Sequence, residues 1–454
     1  MIDRDRLGSL ILEERERFAR EHPRSRALFE EAQAGLLAGV PMSWMTRWPG
    51  GHPVFAAEAE GARITDVDGI TYVDLCLGDT GAMAGHAPAA TAEAVRRRYG
   101  AGATLMLPTE DSIWVAGELG RRFGLPKWQL TLSATDANRF AIRLARQITG
   151  RSRVLVFSYC YHGTVDETFI VVGPDGQGMS RDGNVGPPVD PTETTAVVEF
   201  NDTDALAAVL REEEIACVLA EPALTNIGIV PPLPGFHDSL RELTRERGTL
   251  LVIDETHTFS AGLGGYTAAH GLEPDLLTIG KAIAGGVPAG AYGMSAEVAE
   301  RVRAQVEADY EDTGGVGGTL AGNALSAAAI RATLESVLTA EAFERMIELA
   351  TRFTDGVQGV IDEHGLPWHV VQLGARAEYG FLPEPPPNGG EAAAAADHEL
   401  EEYLHLFALD RGVLITPFHN MALMSPATEA ADVDRHSEVF AEACARLVAS
   451  ERDT

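Results

Sequence analysis

The stretch "PDLLTIGKAIAGGVPAGAYG" (residues 274–293) joins a short apolar run to a glycine-rich segment through a single lysine, Lys281. The chain has 36 basic residues, and among them only Lys281 and Lys127 are lysines. Arginine holds its proton too strongly to act as a nucleophile, whereas a desolvated lysine can lose its proton and add to a carbonyl. A primary amine kept at this point of an arginine-rich chain therefore favours a reactive lysine.

Four apolar, β-branched runs predict the framework that carries this lysine. They are "RVLVFS" (153–158), "IACVLAEP" (215–222), "TLLVIDE" (249–255) and "DLLTIG" (275–280). Near-continuous apolar runs are typical of parallel strands that are covered on both faces. Helical patterns lie between them, such as "DTDALAAVLREEE" (202–214) and "FHDSLRELTRERG" (236–248). The alternation predicts an α/β fold with a mostly parallel sheet flanked by helices.

The two ends of the chain have a different pattern. Residues 1–80 open with a helix and continue into a β-meander that turns at Asp68-Gly69. After about residue 325, an alanine-rich helix leads into a further α+β unit, which "PEPPPNGGEAAAAADHE" (383–399) interrupts as an exposed loop running into a helix. We therefore expect a large domain over 81–325 and a small α+β domain assembled from 1–80 and 326–454.

Composition excludes several classes of function. A formal charge of −31 argues against nucleic acid and anionic membranes as partners, because both need a positive surface. No apolar run approaches the roughly 18 residues of a membrane-spanning helix. Four widely separated cysteines without a CxxC pair are typical of reduced residues in a cytoplasmic protein, and no metal-ligand constellation is visible.

Three features are predicted at the carboxyl ends of the strands, where open parallel sheets bind ligands. Asp254 ends one strand, Lys281 follows the next, and the hydroxyl-rich turn Ser133-Ala134-Thr135 opens a helix. Free N–H groups at a helix start suit a phosphate. Taken singly, these features favour a surface lysine, a capping or turn aspartate and an ordinary N-cap. Together they favour a phosphorylated aldehyde held as a Schiff base, which is the chemistry of pyridoxal 5′-phosphate (PLP).

Asp254 has a defined role in such a site. Its carboxylate would keep the pyridine nitrogen of PLP protonated, so that the ring accepts electrons from a carbanion on the substrate. A charge pair at hydrogen-bonding distance contributes about 4 kcal/mol at an effective dielectric constant of about 20, or about three pKa units. That is enough to keep the nitrogen protonated near neutral pH.

The sequence segments that carry these residues resemble the class III aminotransferases of PLP fold type I, and the resemblance covers nearly the whole chain. Several of the segments look most like glutamate-1-semialdehyde aminomutase and β-amino-acid transaminases. The resemblance implies a seven-stranded type of sheet and a homodimer with shared active sites. It implies cofactor contacts from the phosphate turn, the aromatic-His-Gly motif, the Glu-Pro strand end, the "DETHT" segment, the lysine and the "GGTLAGNALSAAA" segment of the neighbouring subunit. The corresponding residues are Ser133, Ala134, Thr135, Tyr161, His162, Glu221, Asn226, Asp254, Thr256, Lys281 and Thr319.

Two of these positions depart from the family pattern. Ala134 stands where glycine is usual, so the backbone there must avoid a left-handed conformation or accept strain. Thr256 replaces the usual valine and adds a hydroxyl under the cofactor.

Arg47, Thr80 and Arg376 are the candidate substrate-binding residues. Arg47 lies near the position where aminomutases and β-transaminases bind carboxylate, with a surface arginine between Trp44 and Trp48 as the alternative. Arg376 is a second candidate, with a structural ion pair as the alternative. Thr80 replaces an aminomutase tryptophan and predicts a wider or more polar pocket. "GPDGQGMSRDGNVGPP" (173–188) aligns with the aminomutase lid or is an ordinary surface loop.

The resemblance implies a ping-pong transaminase that moves an amino group between an amine or amino acid and a keto acid or aldehyde. The usual Glu–Arg substrate switch looks absent, since Asn226 occupies the glutamate position and no arginine lies between Arg411 and Arg435. An aminomutase that needs no separate acceptor is the main alternative. Racemisation, decarboxylation and a silent PLP-binding scaffold stay open.

Overall fold

The computed structural model describes residues 2–309 and 315–449. Its strands are Ala56–Glu60 (β1), Arg63–Asp66 (β2), Thr71–Asp74 (β3), Lys127–Thr131 (β4), Arg153–Phe157 (β5), Ile170–Val172 (β6), Gly178–Ser180 (β7), Thr195–Val198 (β8), Ile215–Ala220 (β9), Leu250–Asp254 (β10), Leu276–Ile279 (β11), Gly290–Met294 (β12), His369–Leu373 (β13), Arg376–Gly380 (β14), Val413–Leu414 (β15) and Met421–Leu423 (β16).

The α-helices alternate with these strands through the middle of the chain. They are Arg4–Glu21 (α1), Pro23–Ala32 (α2), Ala89–Gly100 (α3), Glu110–Phe123 (α4), Ala134–Thr149 (α5), Pro191–Thr194 (α6), Thr203–Glu212 (α7), Phe236–Arg247 (α8), Gly265–His270 (α9), Ala296–Asp309 (α10), Ala324–Ser336 (α11), Ala340–His364 (α12), Gly389–Ala394 (α13), His398–Leu409 (α14) and Ala430–Val448 (α15).

A seven-stranded sheet in the order β4-β12-β11-β10-β9-β5-β8 forms the framework of the larger unit. β8, β5, β9, β10 and β11 pair in parallel, and β12 runs antiparallel to both β11 and β4. The four apolar runs predicted as strands are β5, β9, β10 and β11. The predicted α/β fold with a mostly parallel sheet flanked by helices is confirmed.

Burial explains why these strands are continuous in apolar residues. Every residue of β9, β10 and β11 is buried. α5 packs against β9, β11 and β12 through an apolar stripe that includes Ala137, Ala141, Leu144 and Ile148. Because helices cover the sheet, no strand face needs the polar half of an alternating pattern.

The chain divides into two compact units, and the boundaries differ from those expected. The larger unit comprises Pro88–Phe343 and Pro386–Ala394, and the smaller comprises Met1–Ala87, Glu344–Pro385 and Ala395–Thr454. The larger unit extends past residue 325 because α11 packs on α3 and α4. Arg122 of α4 also donates to the carbonyl oxygens of Leu334 and Leu338.

Residues 386–394 return to the larger unit, inside the segment expected to be an exposed loop. Gly389 packs so closely there that a Cβ atom would lie 2.3 Å from the carbonyl oxygen of Ser158. Asn201 donates to the carbonyl oxygen of Pro387 at 2.8 Å. A glycine is needed at 389 because no side chain fits against that carbonyl.

The smaller unit has an α+β composition. One of its sheets has the order β1-β2-β3-β15, in which β1, β2 and β3 form the predicted antiparallel meander and β15 joins in parallel. The other sheet is β13-β14-β16. All four cysteines are buried and free, and none of the helices in the described ranges is long and apolar enough to cross a membrane.

Candidate active site

The carboxyl ends of β10 and β11 bring the two predicted reactive residues to one edge of the sheet. Asp254 is the last residue of β10 and pairs with Thr278 of β11. Lys281 follows β11 by two residues, at the start of a 3₁₀ turn. The parallel register therefore places the lysine and the aspartate on neighbouring strand ends.

Lys281 has a left-handed backbone, with a φ of +49°. A residue with a side chain adopts this conformation only at a cost, and such residues cluster at functional sites. The half-buried Lys281 side chain places its Nζ 2.8 Å from Nε2 of His257, in the loop after β10. The sequence motifs do not indicate His257, whose only signal is its place three residues after Asp254.

Asp254 is buried and held by three donors. His162 Nδ1 and Asn138 Nδ2 lie 2.9 and 2.7 Å from Oδ2, and the backbone N–H of Thr256 donates to Oδ1 at 3.0 Å. Burial alone would raise the pKa of Asp254, but the hydrogen bond and charge of His162, with smaller contributions from Thr256 and Asn138, outweigh it and lower that pKa. Asp254 is therefore held as a carboxylate inside the protein.

His162 and Asn138 connect Asp254 to its surroundings. Burial lowers the pKa of His162, whereas Cys160 and the Asp254 carboxylate raise it, and the net direction is well upward. Asn138 of α5 also donates to the carbonyl oxygen of His162 at 3.1 Å and accepts from the Thr278 hydroxyl at 2.6 Å. The sequence motifs do not indicate Asn138 either, although an asparagine beside the apolar stripe of α5 is a usable signal.

The start of α5 forms the predicted hydroxyl-rich turn. Ser133 caps the helix, since its Oγ accepts from the N–H of Asp136 at 3.2 Å. Thr135 Oγ1 accepts from the N–H of Thr164, also at 3.2 Å. Ala134 begins α5 and has no positive φ, so its backbone avoids the left-handed conformation.

Two glycines place this turn against the residues around Lys281 and His162. A Cβ atom on Gly280 would lie 2.8 Å from the backbone N of Ala134. On Gly163, which has a φ of +77°, it would lie 2.0 Å from Thr135 Oγ1. The helix start, the lysine turn and the aromatic-His-Gly motif therefore meet in one place, because glycine removes the side chains that would separate them.

Glu221 and Tyr161 also join this group. Glu221 is buried at the end of β9, where it accepts from the backbone N–H of Tyr161 at 3.1 Å and from the Thr225 hydroxyl at 2.5 Å. Burial raises the pKa of Glu221, against the opposing charge of His162.

The two remaining predicted cofactor residues lie in loops. Asn226 is half-buried in the loop after β9, and Thr319 is exposed between α10 and α11.

The three candidate substrate residues belong to the smaller unit. Arg47 is exposed, with its guanidinium 5.6 Å from the ring centre of Phe418. Thr80 is fully buried and has a φ of +79° in a turn where residues 77–80 all have a positive φ. Arg376 is fully buried at the start of β14.

The predicted lid, 173–188, belongs to the larger unit. Its first residues form the turn between β6 and β7, where Gly173 donates to the carbonyl oxygen of Gln177 at 2.7 Å. Its role as a lid stays a prediction.

Comparison with known proteins agrees with this arrangement. Residues 45–443 match the family model described as aminotransferase class-III. A protein named glutamate-1-semialdehyde 2,1-aminomutase from Desulfitobacterium hafniense (strain Y51) is 33% identical over 417 residues, which is 90% of this chain and 95% of that protein.

Solved structures match over nearly the whole chain. A lysine-to-alanine variant of a glutamate-1-semialdehyde-aminomutase from Pseudomonas aeruginosa PAO1, in complex with PMP, is 50% identical with a TM-score of 0.96 and covers 98% of this chain and 100% of its own. An omega-transaminase from Sphaerobacter thermophilus is 29% identical with a TM-score of 0.85 and covers 94% of this chain and 98% of its own.

The cofactor of this family is pyridoxal 5′-phosphate, and the residues at the strand ends fit it. A carboxylate held ionised, a lysine amine and a capped helix start supply the groups that a pyridine nitrogen, an aldehyde and a phosphate require. The Thr256 hydroxyl, buried beside Asp254, makes no hydrogen bond within the described part of the chain. With its family model, its relatives and this donor set in agreement, the chain belongs to the class-III aminotransferases.

Proposed function

We propose that this protein is a PLP-dependent aminotransferase that moves an amino group between an amino acid or amine and a keto acid or aldehyde. The observation that supports this most is the placement of Lys281 and an ionised Asp254 on neighbouring strand ends. An amine and an ionised carboxylate at neighbouring strand ends are the groups that the aldehyde and the pyridine nitrogen of pyridoxal require.

Bound PLP supplies an aldehyde that takes up an amine and a ring that accepts electrons. The Lys281 amine would hold the cofactor and would become free when the amine of the substrate takes its place. The free Nζ would then be the base that removes a proton from the substrate carbon and the acid that gives it back. In the reverse half-reaction, the same Nζ moves the proton in the opposite direction.

Asp254 and α5 orient the cofactor in this proposal. The Asp254 carboxylate would hold the pyridine nitrogen and keep it protonated, because His162 and Asn138 fix the position and the charge of this carboxylate. Ser133, Thr135 and the N–H groups at the start of α5 hold the phosphate, which the positive end of the helix dipole favours.

A second candidate is an aminomutase, which moves the amino group within one molecule. The names of the 33% and 50% identical relatives favour it, as does Asn226 in place of a gating glutamate. Thr80, where aminomutases carry a tryptophan, favours the transaminase. Arg47 and Arg376 are the proposed carboxylate contacts in either case.

The absorption spectrum of the purified protein with PLP separates these reactions. A transaminase loses its yellow band when a donor amine is added without an acceptor, and a keto acid restores it. An aminomutase forms product from glutamate-1-semialdehyde with no acceptor and no lasting loss of the band. Lys281→Ala is the control, because it removes the amine that attaches the cofactor. A wild-type protein that keeps no yellow band once unbound PLP has been removed refutes both candidates.

We also propose a homodimer with shared active sites, in which Thr319 completes the phosphate site of the neighbouring subunit. The exposure of Thr319 supports this, since its hydroxyl is accessible to a second copy. Light scattering on a sizing column tests it, and an active monomer contradicts it.

A further inference from the structure

His257 is a buried histidine in contact with the reactive amine of Lys281. It lies in the loop after β10 and is 7% exposed. Its Nε2 is 2.8 Å from Lys281 Nζ. The N–H of Ser260 donates to its carbonyl oxygen at 3.3 Å, so the 3₁₀ turn that follows helps to fix the position of the histidine.

Two nitrogens at this distance form a hydrogen bond only if one of them presents a lone pair. An ammonium on Lys281 therefore requires a neutral His257 that accepts through Nε2. A neutral amine on Lys281 can instead accept from an Nε2–H of His257. In both cases, the hydrogen bond fixes the position of Nζ relative to Nε2. The flexible lysine side chain therefore loses much of its rotational freedom.

The two neighbouring carboxylates are each held by other donors. Asp254 accepts from His162, Asn138 and Thr256. Glu255 accepts from the Thr258 hydroxyl at 2.5 Å and from the N–H groups of Tyr266 and Thr267 at 3.1 and 2.5 Å. Both carboxylates are thus held within their own networks, and the His257 ring nitrogen is a close contact of Nζ.

We propose that His257 is a positioning residue that holds the Lys281 amine, through the Nε2–Nζ hydrogen bond, whenever that amine is not bonded to the cofactor. The inference rests on the proposed function, because it assigns a place to the amine that the substrate displaces. Held in this way, Nζ stays at the end of β11, ready to attach the cofactor and to move a proton. Without His257, the Lys281 side chain samples other rotamers, and Nζ returns more slowly to its position at the end of β11.

The test compares His257→Leu, which removes the ring nitrogen, with His257→Gln, whose amide reaches a similar position and keeps a polar partner for Nζ. The first measurement is the rate at which cofactor-free protein captures PLP, followed through the yellow band. We expect a fall of about tenfold in the leucine variant, the size of one lost hydrogen bond to a charged group. The glutamine variant is expected to recover most of that rate.

The second measurement does not depend on the cofactor. Cofactor-free protein is treated with formaldehyde and a mild reductant, and mass spectrometry gives the ratio of labelling at Lys281 to labelling at Lys127. Lys127 is exposed and is the only other lysine, so it is an internal control. We expect the ratio to change in the leucine variant and to return towards the wild-type value in the glutamine variant.

The outcomes separate the inference from the proposed function. A leucine variant with the wild-type capture rate and labelling ratio overturns the role of His257 and leaves the proposed function intact. Equal losses in the leucine and glutamine variants also overturn it, because packing alone then explains them. If wild-type protein forms no yellow band, the proposed function fails, and the labelling ratio still decides whether His257 holds the amine.

Discussion

Asp254 and His162 form a buried pair, with Oδ2 of the aspartate 2.9 Å from Nδ1 of the histidine. His162 lies in the loop after β5, two strands away from β10 in the sheet order. A histidine on one loop, together with Asn138 and Thr256, therefore keeps an aspartate at the end of another strand ionised despite its burial. The electrostatic character of the site depends on this contact.

Asp254→Asn keeps the shape of the side chain and removes its charge. We expect kcat to fall by roughly two to three orders of magnitude, because a charge pair of about 4 kcal/mol with the cofactor nitrogen is lost. Steady-state kinetics at saturating PLP measure this change. Asp275→Asn is the matched control, since Asp275 precedes the amino end of β11, at the opposite end of that strand from Lys281. Equal losses in both variants would argue against a specific role for Asp254.

Gly163→Ala tests the close approach between the aromatic-His-Gly motif and the start of α5. Gly176→Ala is its control: the two glycines have φ values of +77° and +76°, but a Cβ atom meets Thr135 Oγ1 at 2.0 Å only on Gly163. Each substitution costs about 1–2 kcal/mol in left-handed strain. Gly163→Ala adds about 1–3 kcal/mol from the clash.

The measurements for this pair are the midpoint of urea unfolding and the dissociation constant for PLP. Gly163→Ala is expected to weaken PLP binding as well as stability, because the clash moves Thr135. Unchanged PLP binding in a destabilised Gly163→Ala protein contradicts the proposed phosphate contact.

Thr256 and Thr258 are two buried threonines with opposite expected responses to valine. The Thr256 hydroxyl makes no hydrogen bond within the described residues, whereas the Thr258 hydroxyl donates to Glu255 at 2.5 Å. In cofactor-free protein, Thr256→Val should stabilise by about 1 kcal/mol and Thr258→Val should destabilise by about 1–3 kcal/mol. Urea unfolding checks both, and a shift of the same sign in the two variants refutes the distinction.

Asp410 predicts a pH dependence of stability. It lies at the end of α14, where burial and the nearby Glu14 raise its pKa from the ordinary 3.8 to about 8. Between these values, the folded state holds a proton that the unfolded state has lost. The stability from Asp410 is therefore fully present below about pH 4 and is lost as the pH rises towards 8, by at most about 1.4 kcal/mol per pH unit.

Asp410→Asn should remove this dependence. We expect wild type and variant to have similar urea midpoints below about pH 4, and the variant to be increasingly the more stable as the pH rises towards 8. Asp204→Asn at an exposed position is the control and should show no such pH-dependent gain. A constant difference between Asp410→Asn and wild type across this range contradicts the raised pKa.

Several parts of the site were predictable because they depend on local patterns. Apolar runs marked β5, β9, β10 and β11, and the carboxyl ends of two of these strands carry Asp254 and Lys281 of the candidate site. The hydroxyls before α5 predicted its capped start. The domain boundaries were less predictable, because α11 belongs to the larger unit through its packing on α3 and α4, which a helical pattern does not reveal.

By itself, the sequence determined the alternation of strands and helices and the choice of a primary amine at 281, since both follow from the residue types and their spacing. Only the tertiary structure decided that His162 and Asn138 hold Asp254, that His257 meets Lys281, and that the backbone at Lys281 is left-handed. These contacts join loops that are distant in the chain. Their physical reason is the register of parallel strands, which brings separate strand ends to one edge of the sheet.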